Sequence, residues 1–278
     1  MPDQPQPTCV ADVNAVLGEG PVWASRERAL YWVDINGRHI FRRDEHGSVR
    51  AWDTPLKVGS LAPRAQGGFI AGTDSGLALV DLESGSFDIF ANPDRDRPDN
   101  RFNDGKVDRA GRFWAGTMDN HEREPSGTLY RVDADRSWTA IDAGYRVTNG
   151  PAFSADGGTM YHNDSARQVT YAFDLDGADN AVNRREYLRF GPGEGYPDGM
   201  TVDSEGCLWI AFWDGWCVPR FSPDKERLLE LPVPVQRPTS CAFGGDGLRT
   251  LFITSARRDL QGTELDRQPL AGGLFAAE

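Results

Sequence analysis

One short frame recurs along the chain and limits the folds that it can adopt. The frame is a polar residue, a glycine, a short apolar strand, a turn and an aromatic strand, and four copies begin with Glu19-Gly20, Asp104-Gly105, Asn149-Gly150 and Asp198-Gly199. The glycines fall at positions 20, 105, 150 and 199, so their spacings are 85, 45 and 49 residues. The gap of 85 holds two units, and the strands near Gly59 and Thr239 supply a second and a sixth start. Repeats of about 40 to 50 residues are typical of propeller blades.

We therefore predict an all-β fold, a six-bladed β-propeller with four-stranded blades, as a single domain over residues 1–278 with a loose tail at 1–8. The third repeat predicts strands near 106–108, 113–117, 128–133 and 138–142, between Gly and Asp turns. The last repeat ends at Ala276 with no sequence for a fourth strand, whereas Cys9 to Val13 precede the first blade. We expect this N-terminal strand to close the last blade, because closure removes an open sheet edge.

Composition excludes several classes of partner. The formal net charge of −12 repels phosphate backbones and anionic membranes. The N-terminus lacks the basic flank and apolar run of a signal peptide, and no stretch approaches the ~18 apolar residues of a membrane helix. We expect a cytoplasmic monomer with no nucleic-acid or membrane partner. The four cysteines are scattered without a CxxC pair, which favours free thiols.

Four polar residues share the position directly before the repeat glycine: Glu19, Asp104, Asn149 and Asp198. In a propeller the innermost strand of each blade starts at one mouth of the central channel, so these side chains are expected to converge there. Three carboxylates and an amide suit a hard or borderline divalent cation. Asp-Gly and Asn-Gly are also ordinary turn dipeptides, and that alternative stays open at each position. Glu19 favours the cation, because Glu is not a common turn residue.

Five segments carry a resemblance to a known family. They are Leu17-Gly18-Glu19-Gly20-Pro21, Asn100-Arg101-Phe102-Asn103-Asp104-Gly105-Lys106-Val107-Asp108, Gly111-Arg112-Phe113-Trp114-Ala115-Gly116-Thr117-Met118, Thr148-Asn149-Gly150 and Tyr196-Pro197-Asp198-Gly199. In this order, over nearly the whole chain, they resemble the regucalcin and gluconolactonase (senescence marker protein) family. The resemblance implies a six-bladed propeller with a single divalent metal in its channel and an enzyme that opens aldonolactones.

Matched by motif, the resemblance implies that Glu19, Asn149 and Asp198 hold the metal, with waters completing its coordination. The identity of the cation stays open between calcium, magnesium, manganese, iron(II) and zinc. Arg101 and Asn103 correspond to substrate-contacting positions.

The sequence also qualifies the resemblance at two points. Asp104, beside Asn103, is expected to orient a ligand rather than to bind the metal. The segment Asp119-Asn120-His121-Glu122 departs from relatives that carry a substrate-facing Glu shortly after the Gly-Thr-Met motif, so it leaves the specificity open.

The expected function is hydrolysis of a sugar lactone, such as gluconolactone or xylonolactone, to its aldonic acid in carbohydrate catabolism. The cation would polarise the carbonyl, and Asp198, or a water made acidic by the cation, would supply the nucleophile. Two alternatives remain, since a propeller fold does not define an activity. One is a non-catalytic metal-binding regulator or scaffold, and the other is a propeller esterase or phosphotriesterase.

Overall fold

Strands dominate the computed structural model, which describes residues 6–176 and 180–278. They form six four-stranded antiparallel sheets, the blades of a six-bladed β-propeller, so the predicted fold is confirmed. Within these residues the helices are one α-helix of four residues and two 3₁₀ turns, and none is long and apolar enough to cross a membrane. Their bounds are α1 (Thr263–Asp266), Ser165–Arg167 and Asp246–Leu248.

Three blades belong to a compact unit of Met1–Asp53 with Gly191–Glu278. The first blade contains β2 (Gly18–Ala24), β3 (Ala29–Asp34), β4 (His39–Asp44) and β5 (Val49–Asp53). The fifth contains β18 (Tyr196–Val202), β19 (Leu208–Trp213), β20 (Cys217–Phe221) and β21 (Arg227–Pro232). The sixth contains β22 (Pro238–Gly244), β23 (Thr250–Ser255), β24 (Leu274–Ala277) and β1 (Thr8–Ala11).

The other three blades belong to a second compact unit, Thr54–Phe190. The second blade contains β6 (Val58–Pro63), β7 (Phe69–Thr73), β8 (Gly76–Asp81) and β9 (Ser86–Ala91). The third contains β10 (Asn100–Val107), β11 (Phe113–Asp119), β12 (Gly127–Val132) and β13 (Trp138–Tyr145). The fourth contains β14 (Thr148–Phe153), β15 (Thr159–Asp164), β16 (Val169–Leu175) and β17 (Ala181–Arg189). The expectation of one domain over residues 1–278 stays a prediction.

The N-terminal strand completes the sixth blade, as predicted. The order of that sheet is β1-β24-β23-β22, and Thr8 and Cys9 pair with Ala276 and Phe275. Thr8, the last residue of the predicted tail, pairs with Ala276 of β24, and residues 1–5 of that tail lie outside the described residues. The four cysteines are free, and three of them are buried.

Apolar packing anchors β1 to the first and last blades. Ala11 lies in a buried cluster with Leu30, Trp32, Phe41 and Leu274, and the Trp32 and Phe41 rings stack with centroids 5.1 Å apart. Burial of one such side chain contributes about 1.5–3 kcal/mol. The strand is therefore held by its side chains as well as by its ladder of hydrogen bonds.

Strand β10 begins at Asn100, well before the start near Lys106 that the repeat predicts. Asn100 pairs with Asp119, and the ladder continues to Val107 except between Phe102 and Gly105, where a bulge interrupts it. A bulge inserts unpaired residues into a strand without ending it. The polar run of this segment therefore lies inside a strand, although its composition is typical of a loop.

Candidate functional site

An irregularity occurs in the innermost strand of every blade. Pairing with the second strand is interrupted at 19/22, 58/60, 102/105, 149/152, 197/200 and 238/240. The four predicted polar residues lie at these bulges, and thus within the innermost strands rather than just before them. The expectation that they precede the strands is wrong, because the bulges let strand pairing resume on both sides of the glycine.

The four residues directly before the repeat glycine are of two kinds. Glu19 and Asn149 are each the last paired residue before the bulge, and a Gly-Pro dipeptide follows both. Asp104 and Asp198 instead lie inside the bulge, unpaired in the ladder. Gly150 has a φ of 85°, a left-handed conformation that glycine adopts without strain. Gly20, with a φ of 53°, is like Gly150, whereas Gly105 and Gly199 have no positive φ and instead lie close to Ser60 and Ser240.

Glu19 and Asp198 belong to the unit of Met1–Asp53 and Gly191–Glu278. Their exposed fractions are only 5% and 4%. Glu19 Oε2 accepts a hydrogen bond from the backbone N–H of Gly20 at 3.2 Å. Buried carboxylates are costly unless hydrogen bonds or positive charge compensate them. Their carboxylate oxygens are of the type that hard divalent cations bind.

A line of buried hydrogen bonds joins three predicted residues within the unit Thr54–Phe190. Arg101 Nη1 donates to Asn103 Oδ1 at 2.7 Å, and Asn103 Nδ2 donates to Asn149 Oδ1 at 2.9 Å. Asn103 Nδ2 also donates to the carbonyl of Thr148 at 2.8 Å, and Asn149 Nδ2 donates to Ser165 Oγ at 2.8 Å. Every amide group in this line has a defined orientation, so the structure brings Arg101, Asn103 and Asn149 together as one polar cluster.

Asp104 positions the backbone beside Asn149. Its two carboxylate oxygens accept the N–H groups of Gly105 at 2.7 Å and Gly150 at 2.8 Å. Burial raises the pKa of Asp104 above its ordinary value, although the charge of Lys106 and these two N–H groups oppose the rise. Because both oxygens are engaged with backbone, Asp104 acts by holding Gly150, and through it Asn149, in place.

The backbone of β6 packs closely against the backbone of Asn103. Gly59 in β6 packs against the carbonyl groups of Phe102 and Asn103, and a side chain at position 59 would collide with both. This contact explains why the second repeat has glycine in its bulge, where the third and fifth repeats have Asp104 and Asp198. The second blade therefore supports the site with backbone rather than with a ligand.

The segment after β11 is also fixed by one carboxylate. Asp119 accepts hydrogen bonds from the backbone N–H groups of His121, Arg123 and Glu124 at 2.9–3.1 Å. Burial pushes the pKa of Asp119 up, but these three N–H groups outweigh it and hold the pKa below its ordinary value. Asn120 Oδ1 accepts a hydrogen bond from Arg101 Nε at 3.1 Å. The segment that departs from the family pattern therefore contacts the predicted substrate-binding arginine.

Sequence reasoning missed three residues that line a cavity beside Arg101. Lys57 precedes β6, Asp74 follows β7, and Asp99 precedes β10. The sequence contains a weak indication for two of them, because Lys57 and Asp99 directly precede innermost strands. The sequence alone could not place the Asp74 turn next to them.

The chemistry of the predicted ligand set fits a divalent cation. Glu19, Asn149 and Asp198 would provide carboxylate and amide oxygens, which hard and borderline cations accept, and Asn149 is 3% exposed. Within residues 6–176 and 180–278, no three His, Cys, Asp or Glu side chains group as a potential metal site. The predicted set differs from such a group, because one of its members is an amide. The metal site stays a prediction.

Six four-stranded blades define a β-propeller, and Arg101, Asn103 and Asn149 form a buried polar cluster in it. The sequence matches the family model described as SMP-30/Gluconolactonase/LRE-like region over residues 17–257. The chain therefore belongs to the SMP-30/gluconolactonase/LRE-like family, and the resemblance drawn from the motifs is confirmed.

Individual proteins show how close the similarity is. The 6-deoxy-6-sulfogluconolactonase of Pseudomonas putida is 42% identical over 271 residues, which cover 96% of this chain and 93% of that protein. Regucalcin of Gallus gallus is 37% identical over 275 residues, with 96% and 92% covered. The crystal structure of a calcium-binding protein, regucalcin, from Agrobacterium tumefaciens superposes with a TM-score of 0.92 at 27% identity, covering 97% of this chain and 92% of the other.

Proposed function

We propose that the chain is a metal-dependent lactonase that hydrolyses a polyhydroxylated sugar lactone, such as gluconolactone or xylonolactone, to its aldonic acid. The observation that carries the proposal is the buried line from Arg101 through Asn103 to Asn149. A sugar site needs donors held in fixed directions, and Asn103 and Asn120 hold the Arg101 guanidinium in this way. Relatives whose names include a sugar lactonase and a calcium-binding regucalcin support both halves of the proposal.

Glu19, Asn149 and Asp198 are the residues that would hold the cation. When bound, a divalent cation supplies Lewis-acid polarisation of the lactone carbonyl and makes a nearby water more acidic. Asn103 fixes the Asn149 amide, because its Nδ2 donates to Asn149 Oδ1 at 2.9 Å. Neighbours that orient metal-binding groups in this manner typically change metal affinity or activity by about 10–100-fold when they are removed.

Asp198 is the proposed general base. It would take a proton from the water that attacks the carbonyl carbon. The bond between that carbon and the ring oxygen then breaks, and the oxygen receives the proton from Asp198 and becomes a hydroxyl of the aldonic acid. The Arg101 guanidinium would bind sugar hydroxyls and stabilise negative charge on the carbonyl oxygen. Water is the second reactant, so no further reagent is needed.

The proposal is tested with a substrate panel. Chelator-treated protein, and the same protein reloaded with each of the five candidate cations, would be assayed by proton release on glucono- and xylonolactone, an aryl ester and a phosphotriester. We expect cation-dependent turnover of the sugar lactones. Turnover of the ester or phosphotriester alone would assign another hydrolase. Cation binding without turnover of any of them would assign a metal-binding regulator.

A further inference from the structure

A second cavity lies between the first and sixth blades, within the unit of Met1–Asp53 and Gly191–Glu278. Its volume of about 560 Å³ falls in the range of about 300–1,000 Å³ that small-molecule sites occupy. We call it the interblade pocket and define it by Trp23, Arg28, Arg43, Glu45, Asp246 and Phe252. Among the lining residues in the described part of the chain, none belongs to the predicted metal or substrate set.

The interblade pocket lies at the opposite end of β2 from the predicted metal ligand. Glu19 is at the bulge near the start of β2, and Trp23 is near the end of that strand. At about 3.3 Å for each residue of a strand, the two are about 13 Å apart. The turns with Arg28 and Asp246 likewise follow the ends of β2 and β22. A ligand in the pocket is therefore separate from the proposed lactone site.

Two aromatic rings form one wall of the interblade pocket. The Trp23 and Phe252 rings are nearly parallel, at 10°, with centroids 6.3 Å apart. Gly244 packs against both rings, and a Cβ atom there would lie 2.9 Å from an atom of each. Phe252 is buried, whereas Trp23 is half-buried. The wall is therefore rigid and flat, and aromatic rings favour such a surface for offset stacking.

Arg43 brings a positive charge to the interblade pocket. It follows Phe41 by two residues in β4, so both side chains are on one face of the sheet, and Phe41 packs in the cluster with Phe252. Arg43 Nε is buried without a hydrogen-bond partner, and Nη1 donates only a long bond of 3.5 Å to the Asp44 carbonyl. Among the residues that the structure describes, no carboxylate forms a salt bridge with Arg43. A buried donor without an acceptor is costly, so an acidic ligand would stabilise this guanidinium.

The other charges of the interblade pocket limit the ligand to a single negative charge. Arg28 Nε lies 2.6 Å from Glu45 Oε2, and Arg28 Nη2 lies 2.7 Å from Asp246 Oδ1. Two carboxylates share one guanidinium there, which leaves negative charge beside the pocket. A phosphate monoester with two charges would be repelled. A single carboxylate can instead accept two parallel hydrogen bonds from Arg43.

We propose that the interblade pocket binds a bicyclic aromatic monocarboxylate, with the carboxylate on Arg43 and the rings against Trp23 and Phe252. At about 30 Å³ for each water-sized group, the pocket has room for about 19 such groups. An acid with about 13 non-hydrogen atoms would fill about two thirds of that space. Binding here does not depend on the proposed lactonase function, because the two sites share no residue.

The test measures binding of 2-naphthoate by isothermal titration calorimetry. Chelator is present throughout, so that no cation at the predicted metal site can bind the carboxylate. The matched neutral ligand is 2-naphthalenemethanol, which keeps the rings and lacks the charge. We expect the wild type to bind one 2-naphthoate, and to bind the alcohol at least about tenfold more weakly, because only the acid forms charge-assisted hydrogen bonds with Arg43.

Three variants separate the contributions of charge and stacking. Arg43→Met keeps the length of the side chain and removes the guanidinium, so it should weaken 2-naphthoate binding at least about tenfold and leave the alcohol unchanged. Trp23→Leu removes the stacking surface and should weaken both ligands about fivefold. Arg136→Met makes the first change at an exposed turn and should alter neither affinity.

Four results would overturn the site. They are no binding of 2-naphthoate at millimolar concentration, equal wild-type affinity for the acid and the alcohol, and unchanged 2-naphthoate affinity in Arg43→Met or in Trp23→Leu. If Arg43→Met does not fold, the comparison of acid and alcohol on the wild type, together with Trp23→Leu, decides the matter.

Discussion

Asn103 is the centre of the buried polar cluster, and its replacement by alanine has a calculable effect. The change removes two hydrogen bonds between neutral groups, to the Thr148 carbonyl and Asn149 Oδ1, and one from the Arg101 guanidinium. At about 1 kcal/mol for each neutral bond and about 2 kcal/mol for the charged one, the free energy of unfolding should fall by about 4 kcal/mol. For a chain of this size, that corresponds to a melting temperature lower by about 8–16 °C.

The assay is thermal unfolding of both proteins at neutral pH, followed by lactone turnover at saturating cation and well below the lower melting temperature. Because the loss is one of alignment, kcat should fall more than KM rises. Asn180→Ala removes an exposed amide and is the matched control, with an expected change within about 0.5 kcal/mol. A melting temperature for Asn103→Ala that equals that of the control would refute the reasoning, because it would mean that the cluster contributes nothing.

Three further outcomes follow from the structure. Deletion of residues 1–7 should leave a cooperative melting transition, whereas deletion through Val13 should abolish it, because β24 would lose β1 and keep only β23 as a partner strand; a stable product of the longer deletion would contradict this. Burial lowers the pKa of His162 to about 3, so the folded protein excludes a proton that the unfolded chain binds below about 6.5. Acidification from pH 6.5 should therefore lower the free energy of unfolding, measured by urea titration, more in the wild type than in His162→Phe. An equal change with pH in both proteins would show that His162 is not the cause. A divalent cation should raise the melting temperature of the wild type by mass action, and Glu19→Gln should weaken that rise; an unchanged rise would remove Glu19 from the predicted ligands.

The sequence predicted the blades well because each blade repeats a local pattern. The repeat glycine at Gly150 and the N-terminal strand that pairs with β24 were both predicted without a structure. The starts of the innermost strands were placed too late, because the run Asn100 to Asp104 is polar. Its strand geometry depends on pairing with β11, which composition does not reveal.

The residues of the site were predicted from their types and motif positions. The hydrogen bonds between them were not predicted. The sequence grouped Asp104 with Asn149 by their shared glycine. The structure separates them, because Asp104 lies inside the bulge and holds the N–H of Gly150. Lys57 and Asp99 were missed for a different reason, since 42 positions separate them and only the packing of two blades brings them to one cavity.

The central claim is cation-dependent lactone hydrolysis with Asp198 as the base. Its most direct test is proton release from D-glucono-1,5-lactone by the wild type, Asp198→Asn and, as a matched control at an exposed turn, Asp224→Asn, each with and without added divalent cation. The account predicts a wild-type rate well above the spontaneous one only with cation, an equal rate for the control, and a loss of at least about a hundredfold for Asp198→Asn. A wild-type rate no faster than the spontaneous reaction with every cation, or full activity of Asp198→Asn, would contradict it.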